Sequence, residues 1–232
     1  TFPHSSGIAS SASDMAALVY ALCGIEGTLS DIKRVSSLSR LASGSACRSV
    51  FPKLALWGKN QFITGSSNEY AIPVYGEVDE VFHTFRDAVI MVDESAKKVS
   101  SSAGHSLMKE HPYAQGRVHQ ANENILHLLG AMKDGDLDTF GRIVESEALS
   151  LHALMMSSNP SYILMKPSSV AIIQKITEVR EESQIPMYFT LDAGPNIHLL
   201  YPDAFHEQVK SFIQHELHPW CCLLYTSPSP RD

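Results

Sequence analysis

The chain has 232 residues, 44% of them hydrophobic, and a formal net charge of −7. That is enough apolar material for one sizeable core or two small ones. The acidic balance argues against nucleic acid as a partner, and no apolar run approaches the roughly 18 residues that read as a membrane span.

Residues 2–17 read FPHSSGIASSASDMAA. A serine-rich loop around Gly7 turns into helix near Ser10, and the apolar run MAALVYAL from Met15 predicts a buried helix. A helix N-terminus carries roughly half a positive charge, and Ser10, Ser11 and Ser13 add hydroxyl donors there. The loop reads equally as a phosphate cradle or as an ordinary N-cap. A second helix is expected over residues 29–42, capped by Thr28 or Ser30. Its apolar face is Leu29, Ile32, Val35, Leu38 and Leu41 at helical spacing.

That helix runs into SGSACRS, residues 43–49. Short strands are expected at 53–57 and 69–74, and RDAVIMVDE, 86–94, has the apolar centre of a central strand. A polar stretch, ESAKKVSSSAGHSLM, follows. A domain boundary near Asp87 divides the chain into 1–86 and 87–222. Residues 114–133 and 137–156 predict a helix pair joined by Asp134, Gly135 and Asp136. A further helix starts at Pro167 and runs to about Gln184. MYFTLDAGPN, 187–196, is a strand ending in a tight turn, and IHLLYP returns as its hairpin partner. An amphipathic helix is expected over 203–216. The last ten residues, LLYTSPSPRD, lack periodicity and read as a non-native tail outside the fold. Strands and helices mix in both halves, which predicts an α+β fold of two domains.

Cys23, Cys47, Cys221 and Cys222 match neither a disulfide framework nor a zinc site, which suits a reducing, cytoplasmic compartment. His119, His127, His152 and His198 show no ligand spacing with a carboxylate partner and read as structural or exposed. Three islands of small polar residues interrupt the apolar pattern: HSSGIASSAS, SGSACRS and LDAGPN. Arg48 can grip a carboxylate or phosphate through two parallel hydrogen bonds. Asp192, at the end of an apolar strand, is a candidate base or orienting group, or simply a turn-former.

These three islands, in this order, resemble the diphosphomevalonate decarboxylase family of the GHMP kinase superfamily, and the likeness extends from Phe2 to about Cys222. It implies a two-domain GHMP-type fold: an incomplete ATP-binding domain, then a helix-rich ferredoxin-like domain. It also implies a left-handed crossover around the phosphate loop. The implied chemistry uses ATP and Mg²⁺ to turn mevalonate 5-diphosphate into isopentenyl diphosphate, releasing ADP, phosphate and CO₂. Alternatives are a GHMP-type small-molecule kinase or a non-catalytic relative. Carried over by position, Asp192 is the catalytic base or orienter, Arg48 grips the substrate carboxylate, and Ser43 and Ser45 contact substrate. Gly7, Ser10 and Ser11 lie on the ATP loop, with Ser101 and Gly104 near the triphosphate. Asp14, expected in the first turn of the phosphate helix, would weaken anion attraction if it faced the ligand. A homodimer is expected from the resemblance. The chain lacks an initiating Met, and the strand that normally precedes a phosphate loop is missing. An N-terminally truncated piece, inactive as it stands, is therefore expected.

Overall fold

A computed structural model describes residues 10–93, 111–221 and 223–227. The chain divides into two compact units, Thr1–Glu77 and Val78–Asp232. The boundary expected after residue 86 would cut strand β3 (Phe85–Met91). The division lies ahead of that strand.

In the first unit, helices α1 (Ser10–Ile25) and α2 (Ile32–Ala42) accompany a small antiparallel pair, β1 (Ala55–Trp57) and β2 (Ala71–Pro73). Helix α1 was expected to be buried, but it buries one side only. Ala12, Ala16, Val19 and Cys23 face inward, whereas Leu18, Leu22 and Ile25 are exposed. Helix α2 is capped by Asp31, whose side chain accepts from the Arg34 N–H, rather than by Thr28 or Ser30. Carboxylates are strong N-caps, and Asp31 sits directly before the first helical residue. Of the apolar face expected on α2, Val35 is buried, whereas Ile32 and Leu41 are exposed.

The second unit is built on a four-stranded antiparallel sheet, ordered β4 (Tyr188–Leu191), β5 (Ile197–Pro202), β3, β6 (Leu223–Ser227). Residues directly opposite one another share a face. Phe189 faces Leu199, and Leu199 faces Ala88; Leu191 faces Ile197, and Ile197 faces Ile90. This face joins one buried cluster with Ala148, Ile172, Ile176, Val209 and Leu217. The contributing helices are α4 (Leu137–Met156) and α5 (Pro167–Ser183), with the C-terminal helical segment. Tyr188 points the other way, its ring at 74° to that of Phe140.

Helix α3 (Ala114–Asp134) ends on Gly135 in the left-handed conformation, and Asp136 then caps α4 by accepting from Thr139 N–H. The expected helix over 203–216 is broken into a 3-10 turn, α6 (His206–Phe212) and a π-helical turn, Ile213–Leu217. The tail is also corrected in part. Residues 223–227 form β6 and pair with β3, Leu223 opposite Met91 and Ser227 opposite Asp87. The apolar Leu223, Leu224 and Tyr225 suit a strand beside the apolar centre of β3.

Candidate functional site

Each unit presents one of the polar islands on a rigidly held turn. In the first unit, Ser43 closes α2 in extended conformation and starts a 3-10 turn, Gly44–Cys47. Its backbone is self-bonded: Ala46 N–H donates to the Ser43 carbonyl at 2.9 Å, and Arg48 N–H to the Ser45 carbonyl at 3.1 Å. Ala46 and Cys47 are fully buried. Ala46 packs with Ala12 and Ala16 of α1, so the SGSACRS turn lies against the early turns of the helix that Ser10 opens. Three alanines permit this close approach because none carries atoms beyond Cβ. The Ser36 hydroxyl, also buried, donates to the Cys47 carbonyl at 2.8 Å and accepts the Ala71 N–H at 3.0 Å. One serine thereby ties the turn to α2 and β2.

What this turn offers to solvent is Arg48, with half-buried Ser43 and Ser45 beside it. Among the described residues no carboxylate pairs with the Arg48 guanidinium, so its five donors are available to an anion. Burial pushes the Cys47 thiol up from its ordinary value, against the pull of Arg48, and keeps it protonated and inert. Ser10 and Ser11 open α1. Asp14 falls beyond the first turn, in which no acidic residue stands, and is exposed. Gly7, Ser101 and Gly104 lie outside the described residues, as do Lys97 and Lys98.

In the second unit, Asp192 follows β4 and is exposed at the head of the β4–β5 turn. Two side chains from distant parts of the chain, and one of the turn's own, hold it in place. His152 of α4, 1% exposed, places Nε2 at 3.1 Å from the Asp192 carbonyl oxygen. Ser169 of α5 donates from Oγ to the Pro195 carbonyl at 2.7 Å. Asn196 accepts through Oδ1 from the Val92 and Asp93 N–H groups at 2.9 and 3.1 Å. The turn also closes on itself, with Gly194 N–H donating to the Asp192 carbonyl at 2.7 Å. Burial holds the His152 imidazole below its ordinary value of 6.5, which keeps it neutral.

Of the histidines read as structural or exposed, His152 is buried, and two others have carboxylate neighbours. His198 Nδ1 lies 2.8 Å from an Asp87 oxygen on the neighbouring strand, and His119 lies 3.3 Å from Glu123 one helical turn away. No group of three metal-ligating side chains occurs among the described residues. The anchors Ser36, His152 and Ser169 were not singled out as site residues in the sequence. Each looks like an ordinary helix residue there. The one available signal was a polar residue falling on the buried side of its helix.

No helix among the described residues is long and apolar enough to cross a membrane. Residues 1–69 match the family model described as the diphosphomevalonate decarboxylase-like N-terminal domain. Residues 88–225 match that of the mevalonate 5-diphosphate decarboxylase C-terminal domain. The diphosphomevalonate decarboxylase of Ganoderma lucidum is 29% identical over 220 residues, covering 92% of this chain and 54% of its own length. The chain thus spans about half the length of the curated relatives it matches. The crystal structure of mevalonate diphosphate decarboxylase from Staphylococcus aureus superposes with a TM-score of 0.82 at 28% identity, covering 97% of this chain and 66% of that one. A complex of MDDEF with MVAPP, AMPPCP and magnesium superposes with a TM-score of 0.80 at 29% identity, covering 98% and 68%. The α+β architecture is the GHMP-type fold of those structures. On these matches, which reach across both units, the chain belongs to the diphosphomevalonate decarboxylase family.

Proposed function

We propose that the protein carrying this chain performs the ATP-dependent decarboxylation of mevalonate 5-diphosphate to isopentenyl diphosphate, releasing ADP, phosphate and CO₂. The observation that carries the reading is the LDAGPN turn: an exposed carboxylate on a backbone held by His152, Ser169 and Asn196. A merely connective hairpin needs no such support. Asp192 accepts or orients the proton of the substrate's tertiary hydroxyl. Arg48 grips the substrate carboxylate with paired N–H donors, and Ser43 and Ser45 supply hydroxyl contacts. ATP supplies the phosphoryl group that makes a poor leaving hydroxyl a good one.

The residues present suit such a ligand. Ser10 and Ser11 open α1, and Arg48, with no carboxylate partner among the described residues, stands on the turn docked against that helix. With no cluster of protein ligands among the described residues, Mg²⁺ would be carried mainly by nucleotide phosphates, its common mode of binding. Gly7, Ser101 and Gly104 belong to the same nucleotide reading. In this reading the first unit, Thr1–Glu77, serves ATP binding and the second, from Val78, is the C-terminal domain. The protein acts in the cytoplasm as a homodimer.

Incubation with mevalonate 5-diphosphate and ATP–Mg²⁺ tests it. CO₂ and inorganic phosphate should appear together, and Asp192→Asn should lower kcat by about 10²–10⁴-fold, the usual range for a positioned acid–base group. A stable phosphorylated product without CO₂ would mean a kinase instead. Unaltered turnover in Asp192→Asn would remove Asp192 from the chemistry.

A further inference from the structure

We propose that His152 is a positioning residue: its Nε2–H fixes the peptide of Asp192 and so aims the carboxylate. The inference rests on the reading of Asp192 given above. Aspartate has two side-chain torsions, so its carboxylate goes where its backbone is pointed. The Asp192 carbonyl oxygen takes two donors, Gly194 N–H at 2.7 Å from within the turn and His152 Nε2 at 3.1 Å from α4.

A carbonyl oxygen can only accept, so Nε2 carries the proton and the neutral ring leaves Nδ1 bare. A ring that is 1% exposed loses its hydration, a cost that a leucine of similar bulk would not bring. Its presence on the buried side of α4 is therefore accounted for by the bond it makes to the turn. Ser169 completes the arrangement from α5. Its hydroxyl donates to the Pro195 carbonyl at 2.7 Å while accepting the Lys166 N–H at 3.1 Å. Two helices thus hold one carbonyl each, on either side of Ala193 and Gly194.

Amide hydrogen exchange in His152→Leu and His152→Gln tests the contact. The leucine variant should speed exchange at Gly194 by about tenfold, the scale of one lost hydrogen bond, with Phe189 and Leu199 unchanged. The glutamine variant, whose side-chain amide restores a donor, should stay near wild type. In the active enzyme, kcat should fall in His152→Leu with KM unchanged and recover in His152→Gln. The ¹⁵N spectrum of wild-type His152 should show a protonated Nε2 and a bare Nδ1 at pH 7, a reading that needs no variant. A protonated Nδ1 with a bare Nε2, unchanged Gly194 exchange in His152→Leu, equal acceleration at Phe189 and Leu199, or no rescue by glutamine would each overturn the inference. Asp192→Asn is scored apart. Normal turnover there, with Gly194 still freed by His152→Leu, removes the role of Asp192 and leaves the contact standing.

Discussion

The Arg48 turn and the Asp192 turn solve opposite problems. The first is docked by small apolar residues, Ala46 on Ala12 and Ala16, with one buried serine at its back. The side chain proposed to act from it, Arg48, is long, so the guanidinium can be placed by its own torsions as well as by the backbone. The second carries a short side chain and is held by polar groups on the turn's own carbonyls. The shorter the reach of the reacting group, the more of its placement the backbone must supply.

The comparison can be broken at either turn. The largest stability effect is expected for Ala46→Leu, where a side chain with no exposed surface would gain three carbons against two helical alanines. Overpacking of this kind costs about 3 kcal/mol. Urea unfolding followed through Trp57, in a Trp220→Phe background, should show the loss. Ser169→Ala should cost about 1–2 kcal/mol, because it leaves a partly buried carbonyl and an amide without their partner. That loss should appear in unfolding followed through Trp220 in a Trp57→Phe background. A loss seen in both units after either substitution would erase the contrast between a locally docked turn and a locally held one.

A smaller effect concerns pH. The folded His152 binds its proton less readily than the unfolded chain, because burial disfavours the charged ring. Its contribution to stability is therefore complete above about 6.5, the ordinary value, and is lost as pH falls through the lower folded value. The thermal midpoint should drop between pH 7 and pH 5, and His152→Gln should flatten that slope. An equal slope in wild type and variant would show that other groups set it.

The smallest effect is a gain. Gly130 in α3 has no atom within 4 Å of an added Cβ, so Gly130→Ala should stabilise the helix by up to about 1 kcal/mol in thermal melts. The same substitution at Gly141 in α4 should do the reverse, since its Cβ would fall 2.0 Å from the Tyr188 ring.

Much of the architecture was legible in residue order. Pro167 marked the start of α5, Gly135 and Asp136 marked the turn between α3 and α4, and the return of IHLLYP after the LDAGPN turn marked β5. Both islands were visible as small polar residues between apolar runs. Less visible was what a lone helical residue faces. Leu18 and Leu22 read as core and are exposed, whereas Ser36 and Ser39 read as ordinary helix residues and are buried, and His152, read as structural or exposed, is buried. The tail was set aside because pairing with β3, not internal periodicity, makes residues 223–227 a strand.

Local chemistry, then, lies in the sequence itself: which residues cap, turn, alternate or carry a usable charge depends on neighbours within a few positions. The partners of those groups lie far away along the chain. His152 meets the Asp192 carbonyl across 40 positions, and Ser36 meets the Ala71 amide across 35. Hydrogen bonds act over about 3 Å. Only the fold decides which distant groups come that close, and so only the fold decides where the aspartate points.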